Sequence, residues 1–402
     1  MKGETNWISR LVANHRPGFS LEQAFYTDPG IYERDLQRVI LPYWLFLGHQ
    51  ARIPHPGDYF LVNVSGESII VTRDGEGKIY ALANVCRHRG SKVCLHNEGH
   101  AKSFVCPYHA WAYASDGSLL SAKYMPADCD RSEFGLLSYP VQTIEGLIFT
   151  NLGDHPEPFD QVVEDGAEYL GPHGLVDAKI ASRMVWEVEA NWKLVMENFR
   201  ECYHCAPTHP EYCSVVEHGL GDESDMEFFN PDHAKYDKEW RKQNDESGRL
   251  PGMPDRIGSH RHRCGRYPIQ RDYLTQSEGG GPVAPLMGDF NDYDGGSTTL
   301  SIYPLHFTSA CCDHATAFRF TPLEIQKTEV ELTWLVAHGA VEERDYDVEK
   351  LTWMWRITTE QDKKIVDDNQ SGVNARSYRP GPLSNFETDM RTFLDWYLKQ
   401  VG

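Results

Sequence analysis

Two mixed pairs of metal-binding side chains constrain this chain more tightly than any other feature. Cys86-Arg-His88-Arg-Gly90 and Cys106-Pro-Tyr-His109 each combine one thiol with one imidazole, and each follows a run that reads as a β-strand. Two such loops converging from strand ends make a compact metal centre, and the donor set allows two kinds. One is a tetrahedral Cys2His2 zinc site; the other is a [2Fe–2S] cluster with both Cys on one iron and both His on the other. Zinc usually takes a Cys pair followed by a His pair on a helix. Here Cys and His alternate, with Gly90 and Pro107 beside them on loops. The mixed pairs favour the cluster, in which each loop serves both irons. Cys94 lies nearby but is read as a small buried residue, four ligands being already present.

The surroundings agree with a small β-domain. DYFLVNV, ESIIVTRD and KIYALANV read as strands, with Asp74-Gly75-Glu76-Gly77 as the hairpin turn between the last two. A last strand near Gly146 to Asn151 precedes a Gly/Pro-containing joint. Beyond it the chain reads as α+β. A helix is expected from about Ala190 to Ala206, stopped by Pro207, and a long polar stretch, a candidate lid, runs from about Leu220 to Gly296. Strand-like runs TTLSIYPLHFTS, ATAFRFTPLE and TEVELTWLVA follow, then a long helical pattern from about Val341 to Gly372 and a final amphipathic helix.

A second constellation lies in NWKLVMENFRECYHCAPTHP, residues 191 to 210. Glu201 and His204 are i,i+3 and share a helix face. His204 and His209 are five apart and would diverge on an ideal helix, but Pro207 disfavours helix at Ala206 and lets His209 swing back. Two His with one carboxylate leave open positions on an iron(II). Competing readings are polar surface, a Cys202/Cys205 redox dithiol, and a zinc site using Cys202, Cys205, Cys213 and a His.

Together, CRHRGSKVCLH, FVCPYHAWAY and NWKLVMENFRECYHCAPTHP resemble the signatures of the Rieske non-haem iron oxygenase large (alpha) subunit. The resemblance implies that Cys86, His88, Cys106 and His109 hold a [2Fe–2S] cluster and that His204 and His209 hold a mononuclear iron(II). Its third ligand is a carboxylate in the late helix; Asp362 is the choice, with Glu360, Asp367 and Asp368 as fallbacks. Glu201 takes the position of the acid that bridges the two centres across subunits, and Asn198 joins it as a candidate catalytic residue. The implied organisation is residues 1–40 scaffolding the catalytic domain, 41–155 a Rieske antiparallel β-domain, and 156–402 a catalytic domain. In that last part an antiparallel sheet packs on a long C-terminal helix in a helix-grip-like arrangement. The family also implies a homotrimer.

Glu201, where the family usually has Asp, and the fragment ENFRECYHC resemble the branch acting on quaternary ammonium compounds, including glycine betaine, proline betaine (stachydrine) and carnitine oxygenases. The expected reaction is O2-dependent N-demethylation of a small betaine, releasing formaldehyde. Aromatic-ring hydroxylation on the same scaffold is the alternative, and an electron carrier without oxygenase activity is the non-enzyme reading. A fixed cation would be held by aromatic faces, for which Phe199, Tyr203, Tyr303, Phe307, Trp353 and Trp355 are available. No G-x-G-x-x-G or plant-type ferredoxin motif is present, so NAD(P)H electrons are expected through a separate flavin/iron–sulfur reductase. With 59 acidic against 39 basic residues and no basic stripe, the chain is not expected to bind nucleic acid. It has no apolar run of about 20 residues and a polar N-terminus, so no membrane span is expected and the cytoplasm is the expected location.

Overall fold

The structure, a computed structural model, describes residues 4–126, 128–216, 231–247, 256–258 and 262–402. The chain divides into two compact units, residues 41–159 and residues 1–40 together with 160–402. No helix among the described residues is long and apolar enough to cross a membrane.

The unit of residues 41–159 is built from antiparallel strands. A five-stranded sheet runs in the order Glu98–His100, Asp58–Val64, Glu67–Arg73, Ile79–Ala83, Ser138–Tyr139. The Asp74 carboxylate accepts the Glu76 and Lys78 backbone N–H groups and so sets the turn between its third and fourth strands. Trp44–His49, Leu147–Asn151 and Val141–Ile144 form a second sheet. The third is a small meander of Phe104–Val105, Ala112–Tyr113 and Leu119–Ser121. Tyr59, Ile70, Leu82, Phe104, Trp111 and Tyr113 pack one core around Cys86 and Cys106. Each large apolar side chain buried there contributes about 1.5–3 kcal/mol.

In the other unit, seven antiparallel strands run in the order Lys179–Val188, Lys327–Val336, His314–Glu324, His306–Ala310, Gly296–Ile302, His262–Pro268, Arg256–Gly258. TTLSIYPLHFTS is thus two strands, broken by a turn at Tyr303-Pro304. The long helix is Val348–Val373; it starts at Asp347, whose side chain accepts the Lys350 N–H, and not at Val341. The stretch from 220 to 296 is only partly as expected. Pro231–Ser247 is a helix with Asp237 and Arg241 paired at 2.7 Å, and His262–Pro268 is a strand. That strand looked polar because Arg266 is buried in it, paired with buried Asp294. Residues 269–295 are loop with one short helical turn at Glu278–Gly280, and residues 220–230, 248–255 and 259–261 of the candidate lid lie outside the described residues.

The N-terminal segment is tied to this unit through buried polar groups. The Asp35 carboxylate pairs with Lys193 and accepts the Trp192 indole N–H and the Tyr397 hydroxyl. The Tyr26 hydroxyl donates to the Glu197 carboxylate at 3.0 Å. Burying charges costs free energy unless they are paired and hydrogen-bonded, and Asp35 and Lys193 meet both conditions.

Candidate metal centres

The Cys86 and Cys106 loops are closed by the same hydrogen bonds. Cys86 N–H donates to the Ser91 carbonyl and Gly90 N–H to the Cys86 carbonyl; Cys106 N–H donates to Trp111 and Ala110 N–H to Cys106. Both loops need a left-handed residue four positions after the cysteine. Gly90 takes it at φ +77° without steric cost, whereas Ala110 adopts +58° at a cost of about 1–2 kcal/mol. Asn84 stiffens the first loop: its side chain accepts the Val93 and Cys94 N–H groups and donates to the Cys94 carbonyl.

Both sulfurs are buried, His88 is half-buried and His109 is exposed, so the imidazoles are the accessible side of the donor set. The His rings meet edge to face with centroids 4.6 Å apart, and His88 stacks on Trp111 at 4.9 Å. The Tyr113 hydroxyl accepts the Arg87 N–H and lies 3.2 Å from the Cys86 sulfur, a contact that sequence reading did not single out. Burial pushes the Cys106 thiol up, but the Tyr108 and His109 N–H groups and Cys86 outweigh it and bring it below its ordinary value.

These residues fit a two-iron cluster. His88 Nδ1 is buried without a hydrogen-bond partner, the state a metal bond relieves. Among the described residues the four donors do not form a set gathered on one ion; the one such group is His204, His209 and Asp362. Donors spread over two irons suit the cluster better than a single zinc. Cys94 is buried and its thiol is pushed up to about 12 by burial, as expected of an unligated core residue.

The second centre is assembled by local interruptions. Asn191 caps the helix Trp192–Phe199 by accepting the Lys193 N–H, and its own N–H donates to Gln370 on the long helix at 2.8 Å. That clamp sets the two helices side by side. The expected helix through Ala206 does not form: it ends at Phe199, because the Glu201 carboxylate takes the N–H groups of Tyr203 and His204. Glu201 and His204 therefore meet across a turn and not on a helix face. Pro207 sits within the short helix Cys205–Thr208, where the missing N–H has no partner to lose. His209 follows at φ -120°, and the His204 and His209 rings come within 5.1 Å.

His204, His209 and Asp362 each offer an atom within 4.8 Å of the others. Asp362 Oδ1 lies 2.9 Å from His209 Nε2 and 3.3 Å from His204 Nε2. The other ring nitrogens are held from behind. His204 Nδ1 donates to Glu201 Oε1 at 2.5 Å, and His209 Nδ1 donates to Gln361 Oε1 at 2.8 Å. Gln361 in turn donates to Glu211 at 2.8 Å. Such partners fix the tautomer and leave both Nε2 lone pairs aimed at one point. Burial pushes His204 down, but its bonds to Asp362 and Glu201 outweigh this and lift it to about 10. Burial likewise opposes Asp362, yet the two His bonds hold it below the usual carboxylate range. Asn198 Nδ2 is 3.2 Å from His204 Nε2. Of the fallback acids, Glu360 lies 3.7 Å from Arg356, Asp367 binds Lys363 at 2.6 Å, and Asp368 is exposed.

A pocket adjoins Asp362 and Asn198. Phe199, Phe318, Phe320 and Trp355 supply its aromatic faces, and Lys363 its one basic side chain. Of the expected aromatics, Phe199 and Trp355 line it and Phe307 packs on Phe318 at 5.6 Å. Tyr203 is exposed, and Tyr303 packs against Trp396 and under Arg200. Trp353 does not line it.

Residues 175–402 match the catalytic domain of the ring hydroxylating alpha subunit, and residues 43–141 match the Rieske [2Fe-2S] domain. The chain belongs to the Rieske non-haem iron oxygenases. This oxygenase is 35% identical to the glycine betaine monooxygenase oxygenase subunit of Pseudomonas aeruginosa, over 97% of its own length and 91% of that protein. It is 32% identical to the carnitine monooxygenase oxygenase subunit of Acinetobacter pittii, over 52% of its length and 57% of the relative. Its fold superposes on a quaternary ammonium Rieske monooxygenase crystallised with L-carnitine, with TM-score 0.70 and 20% identity over 97% and 98% of the two chains. The Rhodococcus naphthalene 1,2-dioxygenase superposes with TM-score 0.63 and 20% identity, over 100% and 98%. The oxygenase is thus an oxidoreductase whose cofactors are a Rieske cluster and a mononuclear iron, of a family that draws electrons from a separate reductase.

Proposed function

We propose that this oxygenase removes an N-methyl group from a small betaine, proline betaine or a near relative such as glycine betaine, in the cavity beside Asp362. The observation that carries the reading is that cavity. Its aromatic faces suit a quaternary ammonium, which has charge but no N–H to donate. Lys363 at its edge suits the carboxylate of the same zwitterion. The near full-length similarity to a glycine betaine monooxygenase subunit supports the same substrate class.

In this reading Cys86, His88, Cys106 and His109 hold the cluster, and His204, His209 and Asp362 hold the mononuclear iron. When bound, the cluster supplies single electrons and the iron supplies the activation of O2. The protein's part is placement. Glu201 and Gln361 hold the two imidazoles, the aromatic walls keep water from the reacting methyl group, and Asn198 stands beside His204. Glu201 also connects His204 to the cluster of a neighbouring chain in a homotrimer. One oxygen atom enters a methyl C–H, two electrons and two protons carry the other to water, and the resulting hemiaminal collapses to formaldehyde and the demethylated amine.

Reductase-coupled oxygen uptake with a panel of betaines, assaying formaldehyde in the same vessel, tests this. Formaldehyde equal to oxygen consumed with a betaine is expected. Hydroxylation of indole or benzoate without formaldehyde, and inertness to every betaine, would replace the reading with aromatic-ring hydroxylation.

A further inference from the structure

Trp355 lines the cavity, while its indole N–H joins a polar network of residues that do not line it. That N–H donates to Gln276 Oε1 at 3.2 Å. Gln276 lies on the connection between the strands His262–Pro268 and Gly296–Ile302, far from Trp355 in sequence. The same Oε1 accepts the Ser309 hydroxyl at 3.1 Å, and Gln276 Nε2 donates to the Ser297 hydroxyl at 3.1 Å. The two serine hydroxyls are 3.0 Å apart and close the ring. All four residues are buried.

A buried amide costs free energy unless its bonds are made. This one spends its carbonyl on the edge of an aromatic wall already packed against Phe318 at 5.0 Å and Tyr212 at 5.4 Å. The bond has two consequences. It fixes the rotation of the indole, since turning the ring orphans a buried N–H. It also polarises the indole: an N–H drawn toward an acceptor leaves more electron density on the ring, and electron density on the face is what attracts a cation.

We propose that Gln276 is a positioning residue that sets the preference of the cavity for a quaternary ammonium over a neutral tert-butyl headgroup, acting through the Trp355 ring. The inference rests on the betaine reading above and names a residue outside the cavity as a determinant of its selectivity. It predicts that Gln276 matters for charge and not for shape.

The test compares glycine betaine with tert-butylacetate, which has the same shape with carbon in place of the quaternary nitrogen. Dissociation constants are measured by calorimetry on the purified holoenzyme. The wild type is expected to prefer the betaine, and Gln276→Met to lower that preference about fivefold while leaving tert-butylacetate binding within about twofold. Trp355→Phe, which keeps a face but has no N–H, is expected to show the lowered preference by itself. Adding Gln276→Met to it changes nothing further. The double variant removes both partners of the buried bond, so it keeps the comparison available if Gln276→Met alone folds poorly. An unchanged preference in Gln276→Met, or a Gln276 effect that persists in the Trp355→Phe background, overturns the role of Gln276 alone. A wild type that does not distinguish the two ligands overturns the betaine reading, and this inference with it.

Discussion

His204 donates its Nδ1 proton to Glu201 Oε1 at 2.5 Å, so its Nε2, 3.3 Å from Asp362, is the nitrogen left for a metal. One carboxylate thereby does two things. It fixes the tautomer of His204 and, in the reading proposed above, stands on the path along which an electron reaches the mononuclear iron.

The two roles separate by substitution. Glu201→Gln retains an oxygen that can accept the Nδ1 proton, so both metals should stay bound while electron delivery to the mononuclear iron slows. Rapid-mixing single turnover of the reduced protein with O2 reads this directly. A wild-type rate in Glu201→Gln would remove Glu201 from the electron path. Glu201→Ala leaves His204 Nδ1 without its acceptor and should weaken iron binding about 10–100-fold.

Gln361 makes the corresponding contact to His209 and has no part in electron entry in this account. Gln361→Leu should weaken binding of the mononuclear iron about tenfold or more, without changing the visible spectrum of the cluster. Iron retention under a graded chelator challenge checks it; retention equal to wild type would show that packing alone orients His209.

These two partners illustrate what was legible in the sequence and what was not. The cluster loops stand out in the sequence because Cys and His alternate in C-x-H and C-x2-H pairs with Gly90 and Pro107 beside them, whereas the left-handed turn at Gly90 emerges only in the fold. His204 and His209 stand out by their donor type and Asp362 by the family resemblance alone, and the fold brings the three donor atoms within 4.8 Å of one another. Gln361 and Gln276 could not be read, since a neutral amide in sequence carries no sign of whether it meets water or a buried imidazole or indole. The expected helix is too long because the amphipathic pattern and Pro207 set its end, and only the fold reveals that Glu201 captures backbone N–H groups and ends it earlier. Phe318 and Phe320 were missed for a related reason: in ATAFRFTPLE they read as ordinary core, and the cavity exists only where the sheet faces the long helix.

Glu197 gives the oxygenase a pH-dependent stability. Burial pushes its carboxyl up to about 8, against the opposing effects of the Tyr26 hydroxyl and Lys193, with Glu387 adding to the rise. A raised folded-state value means that the native state holds the proton where the unfolded chain has released it. Between pH about 4.5 and about 8 the folded protein therefore binds more protons, and unfolding free energy falls as pH rises through that window. The fall should be on the order of a few kcal/mol. Denaturant melts across that range should show Glu197→Gln flattening the dependence and being relatively more stable at the alkaline end. An identical slope in the variant would contradict the assignment.

The central claim is that one chain keeps two distinct iron sites. Metal and acid-labile sulfide analysis, with visible and EPR spectra of wild type and Asp362→Ala purified side by side, tests it most directly. The account predicts iron and sulfide without zinc in the wild type, and a variant that loses its non-cluster iron while the cluster spectrum stays intact. Zinc between the Cys86 and Cys106 loops, or an Asp362→Ala protein with undiminished iron, would contradict it.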